Sequence, residues 1–152
     1  MEIFREDARP TITVNAHGKI GNVAIPLAAR FLWQGAPMTM ETLFAAVAVE
    51  AFPGAVEWYA RLFGRAADVV VADNEVMWRV ADTAWLYVIE DAGRAGRSLV
   101  TISVSDLDQA VAELDARGIR SGDIETVGDA GRKATVTDPE GNAIALIQIA
   151  AT

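Results

Sequence analysis

Hydrophobic and polar positions change period along the chain in a regular order. Leu43 to Val49 is a continuous apolar run of strand length. Pro53 then stands where the first turn of a helix tolerates it. Val56, Tyr59, Ala60 and Phe63 recur at three- and four-residue spacing, and Gly64 follows as the stop. Three strand-like runs come next, at Asp68 to Ala72, Glu75 to Val80 and Ala84 to Glu90, with Asp73-Asn74 and Asp82-Thr83 as the turns between them. Asp91 to Ser98, carrying Gly93 and Gly96, reads as a flexible linker. The same order then begins again. Leu99 to Val104 is a strand, Ser105 or Asp106 caps a helix from Leu107 to Arg117, and Gly118 ends it. Further strand-like runs follow around Ile124 to Val127, Lys133 to Thr137 and Ala143 to Ile149.

The two halves superpose at an offset of 55 residues: Phe44 falls on Leu99, Val47 on Ile102, Val49 on Val104, Ala55 on Ala110 and Val56 on Val111. A match in the order strand, helix, glycine stop and three strands marks one supersecondary unit used twice. The pattern predicts an α+β fold of two tandem βαβββ modules, module one over about residues 42–92 and module two over about 98–150. Residues 1–41 form an N-terminal extension whose role the sequence leaves open, ahead of a domain at 42–152. Within it, Thr11 to Val14 alternates like a short strand, Ala16-His17-Gly18-Lys19 reads as a turn, and Ile20 to Ile25 could return as a second strand. Leu27 to Trp33 is too short to classify.

Composition narrows the chemistry. Apolar residues make up 52% and charged residues 22% of 152, a globular balance with room for a sizeable core. No apolar run approaches the roughly 20 residues of a membrane helix. No basic start, apolar stretch and cleavage site marks a secretory leader, so the expectation is a cytoplasmic protein without a membrane partner. There is no Cys and only one His, His17, which excludes disulfides, thiolate chemistry and any multi-imidazole site within one chain. The net charge of −8 argues against nucleic acid, whose backbone needs clustered Lys and Arg. Residues 1–37 carry four basic and three acidic side chains, so the acidity belongs to the domain that follows. Such a surface suits cationic ligands, or serves solubility alone.

The second module closes on Asp138-Pro139-Glu140-Gly141-Asn142, an acidic turn leading into the apolar strand Ala143 to Ile149. Two βαβββ modules ending in this turn resemble the vicinal oxygen chelate superfamily, which holds glyoxalase I, extradiol dioxygenases, and the fosfomycin and bleomycin resistance proteins. The segment Val49 to Tyr59, with Trp58-Tyr59 where the family has an aromatic pair, supports the likeness, as does Val104 to Ala110. The resemblance implies a curled, cleft-lining mixed sheet of the glyoxalase/bleomycin resistance kind. It also implies a homodimer with clefts at the subunit interface. Metal-dependent members place ligands at four inward positions, which fall here on Phe44, Tyr87, Leu99 and Ala145. None is a usual ligand, so no metal and no cofactor are expected.

On the parity set by Phe44 and Tyr87, the cavity faces carry Phe44, Ala46, Trp85, Tyr87, Leu99, Thr101, Ala145 and Ile147. Trp78 and Arg79 are neighbours on one strand, so one of the two faces inward. Two readings stand for these side chains, cleft wall or core filling. Arg79 and Arg132 suit two-point contact with an anionic group, or surface ion pairs. Glu50 suits a general base, or a solvated carboxylate. Asp138 stabilises its own turn and Trp58 packs its helix on the sheet. The function expected is metal-independent binding of a hydrophobic or cationic small molecule in an aromatic-lined cleft. The alternative is a glyoxalase- or dioxygenase-related enzyme, a lyase or isomerase with an atypical site.

Overall fold

The computed structural model describes residues 13–14, 20–21 and 38–151. Thr13–Val14 (β1) and Ile20–Gly21 (β2) pair antiparallel, inside the two strands expected in the extension. The turn at His17 and the segment Leu27 to Trp33 lie outside the described residues.

Module one runs β3 (Leu43–Val49), α1 (Phe52–Phe63), β4 (Val69–Ala72), β5 (Glu75–Ala81) and β6 (Ala84–Glu90). Module two runs β7 (Leu99–Ser103), α2 (Leu107–Ala116), β8 (Glu125–Val127), β9 (Gly131–Thr137) and β10 (Ala143–Ile149). Each module makes its own four-stranded mixed sheet, in the orders β3-β6-β5-β4 and β7-β10-β9-β8. The first strand lies parallel to the last in both, and the other pairs are antiparallel. That parallel pair is what a helical connection permits and a hairpin does not. The doubled βαβββ unit read from the sequence is therefore the architecture, and among the described residues no strand of one sheet pairs with the other.

Alternation along the strands sorts their faces. Val47, Val49, Val76, Trp78, Leu86 and Val88 are buried in module one, and Ala134, Val136, Ile144 and Leu146 in module two. With Leu107, Leu114 and Ile119 they make one core shared by both modules. Each sheet thus gives one face to this core and leaves the other open. The buried stripe of α1 is Ala55, Trp58, Tyr59 and Leu62, with Val56, Ala60 and Phe63 packed on its flanks. The expected face is displaced by one residue because α1 is apolar around most of its girth, so spacing alone does not fix the centre. Gly64, at φ +67, takes the left-handed cap that ends α1. Asp106, not Ser105, caps α2, its carboxylate accepting from the Gln109 N–H at 2.9 Å. Arg117 donates to the Leu62 carbonyl at 3.2 Å, tying the C-terminal ends of the two helices together.

The turn after β9 clasps the modules. The Asp138 carboxylate is buried and accepts from four donors: the Tyr59 hydroxyl at 2.9 Å, the Asn142 side-chain amide at 2.8 Å, and the Glu140 and Asn142 backbone N–H groups at 2.9 Å each. Burial pushes the Tyr59 phenol well above its ordinary value, and the neighbouring Asp138 charge adds to the rise. Asn142 also donates to the Ala48 carbonyl at 2.9 Å and accepts from the Ser98 N–H at 2.9 Å. The helix α1 has no side-chain cap of its own at Ala51. The Glu140 carboxylate, 89 residues away, accepts from the Ala51 N–H at 3.3 Å and from the Glu50 N–H. An acidic group at a helix N-terminus is favourably placed against the dipole. Gly96, at φ +77, lies so close to the Glu140 carbonyl that a Cβ there would overlap it.

Candidate functional site

Strand register arranges the open face of module one in three rows. Phe44, Trp85 and Arg79 form the first, Ala46, Tyr87 and Met77 the second, and Ala48, Ile89 and Glu75 the third. Phe44 stacks on Trp85 with ring centroids 6.5 Å apart, and Phe44 is 53% exposed. An aromatic pair left open to solvent is a feature of binding surfaces more than of cores. Arg79 stands at the end of the first row, held by its own turn, its guanidinium donating to the Asp82 carbonyl at 2.7 Å.

Where the second and third rows meet the linker after β6, a cavity of about 340 Å³ opens. Ala46, Ala48, Tyr87 and Ile89 form its floor, and Gly93, Arg94, Arg97 and Ser98 form its rim. Its size falls within the range of small-molecule sites. Arg94 pairs with Asp91 at 2.6 Å, and that bond holds the Asp91 carboxyl below the usual carboxylate range. The Ser98 hydroxyl accepts from the Ala48 N–H at 3.4 Å, and among the described residues its own hydrogen has no acceptor. Asn142 grips the backbone of both Ala48 and Ser98, so the clasp also sets the wall of the cavity.

The open face of module two carries Leu99 and Thr101 on β7, Ala145 and Ile147 on β10, and Thr135 and Lys133 on β9. Leu99 is 75% exposed, whereas Ala145 sits between Thr101 and Thr135 at 5%. The four positions on which the resemblance would place metal ligands divide, Phe44 and Tyr87 on one sheet and Leu99 and Ala145 on the other. They offer one phenol oxygen and three hydrocarbon side chains, a donor set that does not fit a divalent ion. Among the described residues no cluster of three or more His, Cys, Asp or Glu could hold one either.

Two of the residues expected in the cleft belong elsewhere. Trp78 is the buried member of the Trp78–Arg79 pair, packed against Phe63 and Tyr59 with its indole N–H on the Arg65 carbonyl at 3.1 Å. Alternation then sends Arg79 to the open face. Arg132 lies opposite Gln148, on the helix side of module two, and makes a two-point contact with Asp108 at 2.6 and 3.2 Å. That pairing lowers the Asp108 carboxyl and raises the Arg132 guanidinium. The guanidinium is thus engaged within its own module, away from the open face. Glu50 is exposed, and its backbone N–H donates to the Glu140 carboxylate.

Ala46 and Tyr87 are the expected residues that the cavity brings together, and Phe44 and Trp85 continue their face. Leu99, Thr101 and Ala145 lie on the other sheet. Ala48 and Ile89 follow from the same parity extended by two residues. Arg94, Arg97 and Ser98 were missed because a glycine-containing stretch reads as a linker. Their three-residue spacing does not single them out, because Arg117 and Arg120 repeat it.

A family model described as the Glyoxalase/Bleomycin resistance protein/Dioxygenase superfamily matches residues 44–146. A glyoxalase/bleomycin resistance protein from Catenulispora acidiphila is 32% identical, with a TM-score of 0.69 over 73% of this chain and 100% of that one. An antibiotic binding protein from Streptomyces is 22% identical, with a TM-score of 0.62 over 76% and 100%. A bleomycin-binding protein complexed with bleomycin is 19% identical, with a TM-score of 0.59 over 74% and 100%. No curated protein matches the chain. No helix among the described residues is long and apolar enough to cross a membrane.

Proposed function

The chain belongs to the Glyoxalase/Bleomycin resistance protein/Dioxygenase superfamily, and on that footing we propose that it binds a small molecule with an apolar body, without a metal ion, on the open face of module one. The observation that carries this reading is the exposed Phe44 stacked on the half-buried Trp85, with Tyr87 in the next row leading into the cavity beside Ala46 and Ile89. The residues at the four ligand positions favour binding over metal-assisted chemistry, since Lewis-acid catalysis needs an ion with open positions.

The cleft is completed by a second copy of the chain. Module two exposes Leu99 on its open face as module one exposes Phe44, and a two-fold dimer covers each with the other. Calorimetric titration with a panel of aromatic compounds, run with and without chelator, tests the binding. Saturable heat that the chelator leaves unchanged is expected. A flat response across the panel would refute the reading, and a divalent ion near one per chain in elemental analysis would favour a lyase or isomerase instead. Sedimentation equilibrium should give twice the 16.2 kDa chain mass.

A further inference from the structure

The cavity contradicts the charge of the chain that holds it. The sequence carries 21 acidic and 13 basic side chains, yet no carboxylate lines the cavity among the described residues. Its charged lining is Arg94 and Arg97. Arg94 spends one edge of its guanidinium on Asp91 and keeps the rest, with its side chain 78% exposed. Arg97 has no ion pair among the described residues. The remaining polar groups are the Ser98 hydroxyl, whose oxygen already accepts from Ala48, and the Tyr87 hydroxyl. All of these present N–H or O–H donors to whatever enters.

We propose that the ligand is an aromatic carboxylic acid, its ring laid on Tyr87 and Ile89 and its carboxylate held by Arg97 and Arg94 with a further bond from Ser98. This rests on the binding function proposed above and names the ligand class. A planar guanidinium meets a carboxylate at two points, a match that a cationic ligand cannot use and a neutral one uses poorly. The net negative charge of the chain does not oppose it. Asp91 offsets part of the Arg94 charge, and carboxylates beyond about 8 Å are largely screened at physiological ionic strength, so Arg97 and the unpaired edge of Arg94 set the local sign. The expectation of a cationic ligand came from total charge, and the local lining reverses its sign.

Three probes of one shape separate the possibilities: naphthalene-2-carboxylate, 2-naphthylmethanol and 2-naphthylmethylammonium, each titrated calorimetrically into the full-length protein. The carboxylate should bind about tenfold more tightly than the alcohol, the size of one hydrogen bond to a charged group, and the ammonium more weakly than either. In Arg97→Gln, and again in Arg94→Gln, the preference for carboxylate over alcohol should collapse toward unity, while Arg97→Lys restores part of it. Both side chains are exposed, so the variants fold, and circular dichroism verifies that. An alcohol or ammonium that binds as tightly as the carboxylate would overturn the inference and leave the binding function standing. Silence from all three would overturn both.

Discussion

Replacing Asn142 by Ala tests the clasp directly. The side chain is fully buried and makes three hydrogen bonds, to the Ala48 carbonyl, the Ser98 N–H and the Asp138 carboxylate, all between 2.8 and 2.9 Å. Two of those partners are neutral backbone groups, each worth about 1 kcal/mol, and the third is a charge, worth about 1.5–3 kcal/mol. Water reaches the Ser98 side of the cavity and recovers part of the loss there. Ala48 is only 7% exposed, and its carbonyl is left without a partner. The expected cost is about 3–4 kcal/mol, a large share of the ~5–15 kcal/mol that holds a domain together. Urea unfolding followed by Trp fluorescence reads this as a lower midpoint at unchanged slope, and thermal unfolding as a fall of about 10–20 °C in Tm. Ala48 and Ser98 also wall the cavity, so ligand binding should weaken at temperatures where the variant is still folded. A loss under about 1 kcal/mol would show that the modules are held by their shared apolar core alone.

Three further outcomes follow from the same contacts. Tyr59→Phe removes a bond to the buried Asp138 carboxylate and should cost about 1.5–3 kcal/mol near neutral pH. Because the folded phenol titrates above its unfolded value of 10.0, its contribution is intact below that pH. Above pH 10 wild-type stability should fall by an extra ~1.4 kcal/mol per pH unit, a slope missing in the variant and measurable by urea titration at pH 9 to 11. Trp78→Ala empties a core site and should cost about 3–5 kcal/mol, whereas Trp85→Ala should cost much less and instead weaken naphthalene binding; the reverse pattern would invert the assignment of sheet faces. Gly96→Ala meets both a positive φ and the Glu140 carbonyl, and a loss of at least ~1 kcal/mol by chemical denaturation is expected.

The sequence carried the fold because the repeat is written twice. Each apolar run, helix stop and turn in module one has a counterpart in module two, so a misread boundary in one is corrected by the other. Faces were harder to read. In β5 both Trp78 and Arg79 are plausible on either side, and only the pairing of Arg79 with Trp85 and of Trp78 with Leu86 decides between them. Arg132 was misplaced for a related reason: β9 begins at Gly131, two residues before the expected Lys133, and Arg132 then alternates onto the face of Gln148. The rim arginines and the capping of α1 by Glu140 were illegible because they depend on contacts between segments far apart in the chain. No local periodicity records that Glu140 meets Ala51.

The closing turn and the strand after it perform separable tasks. Asp138, Glu140 and Asn142 are all committed to structural bonds, to Tyr59, Ala51 and Ala48 of module one and to Ser98 at the end of the linker. Ala145, three residues past Asn142, has no part in that network. It sits on the open face between Thr101 and Thr135, and Thr101 is exposed. A longer side chain at 145 can lean over Thr101 and reach water, so Ala145→Glu should fold with a loss of about 1 kcal/mol, within the ordinary range for a single substitution. Asn142→Ala, made in the same turn, should lose three to four times as much. Parallel urea titrations of the two variants compare them. If Ala145→Glu proves the more damaging, position 145 is a packing site whose small size the fold requires. If the expected order holds, the turn is a structural clasp that stands whether or not the strand behind it offers a ligand.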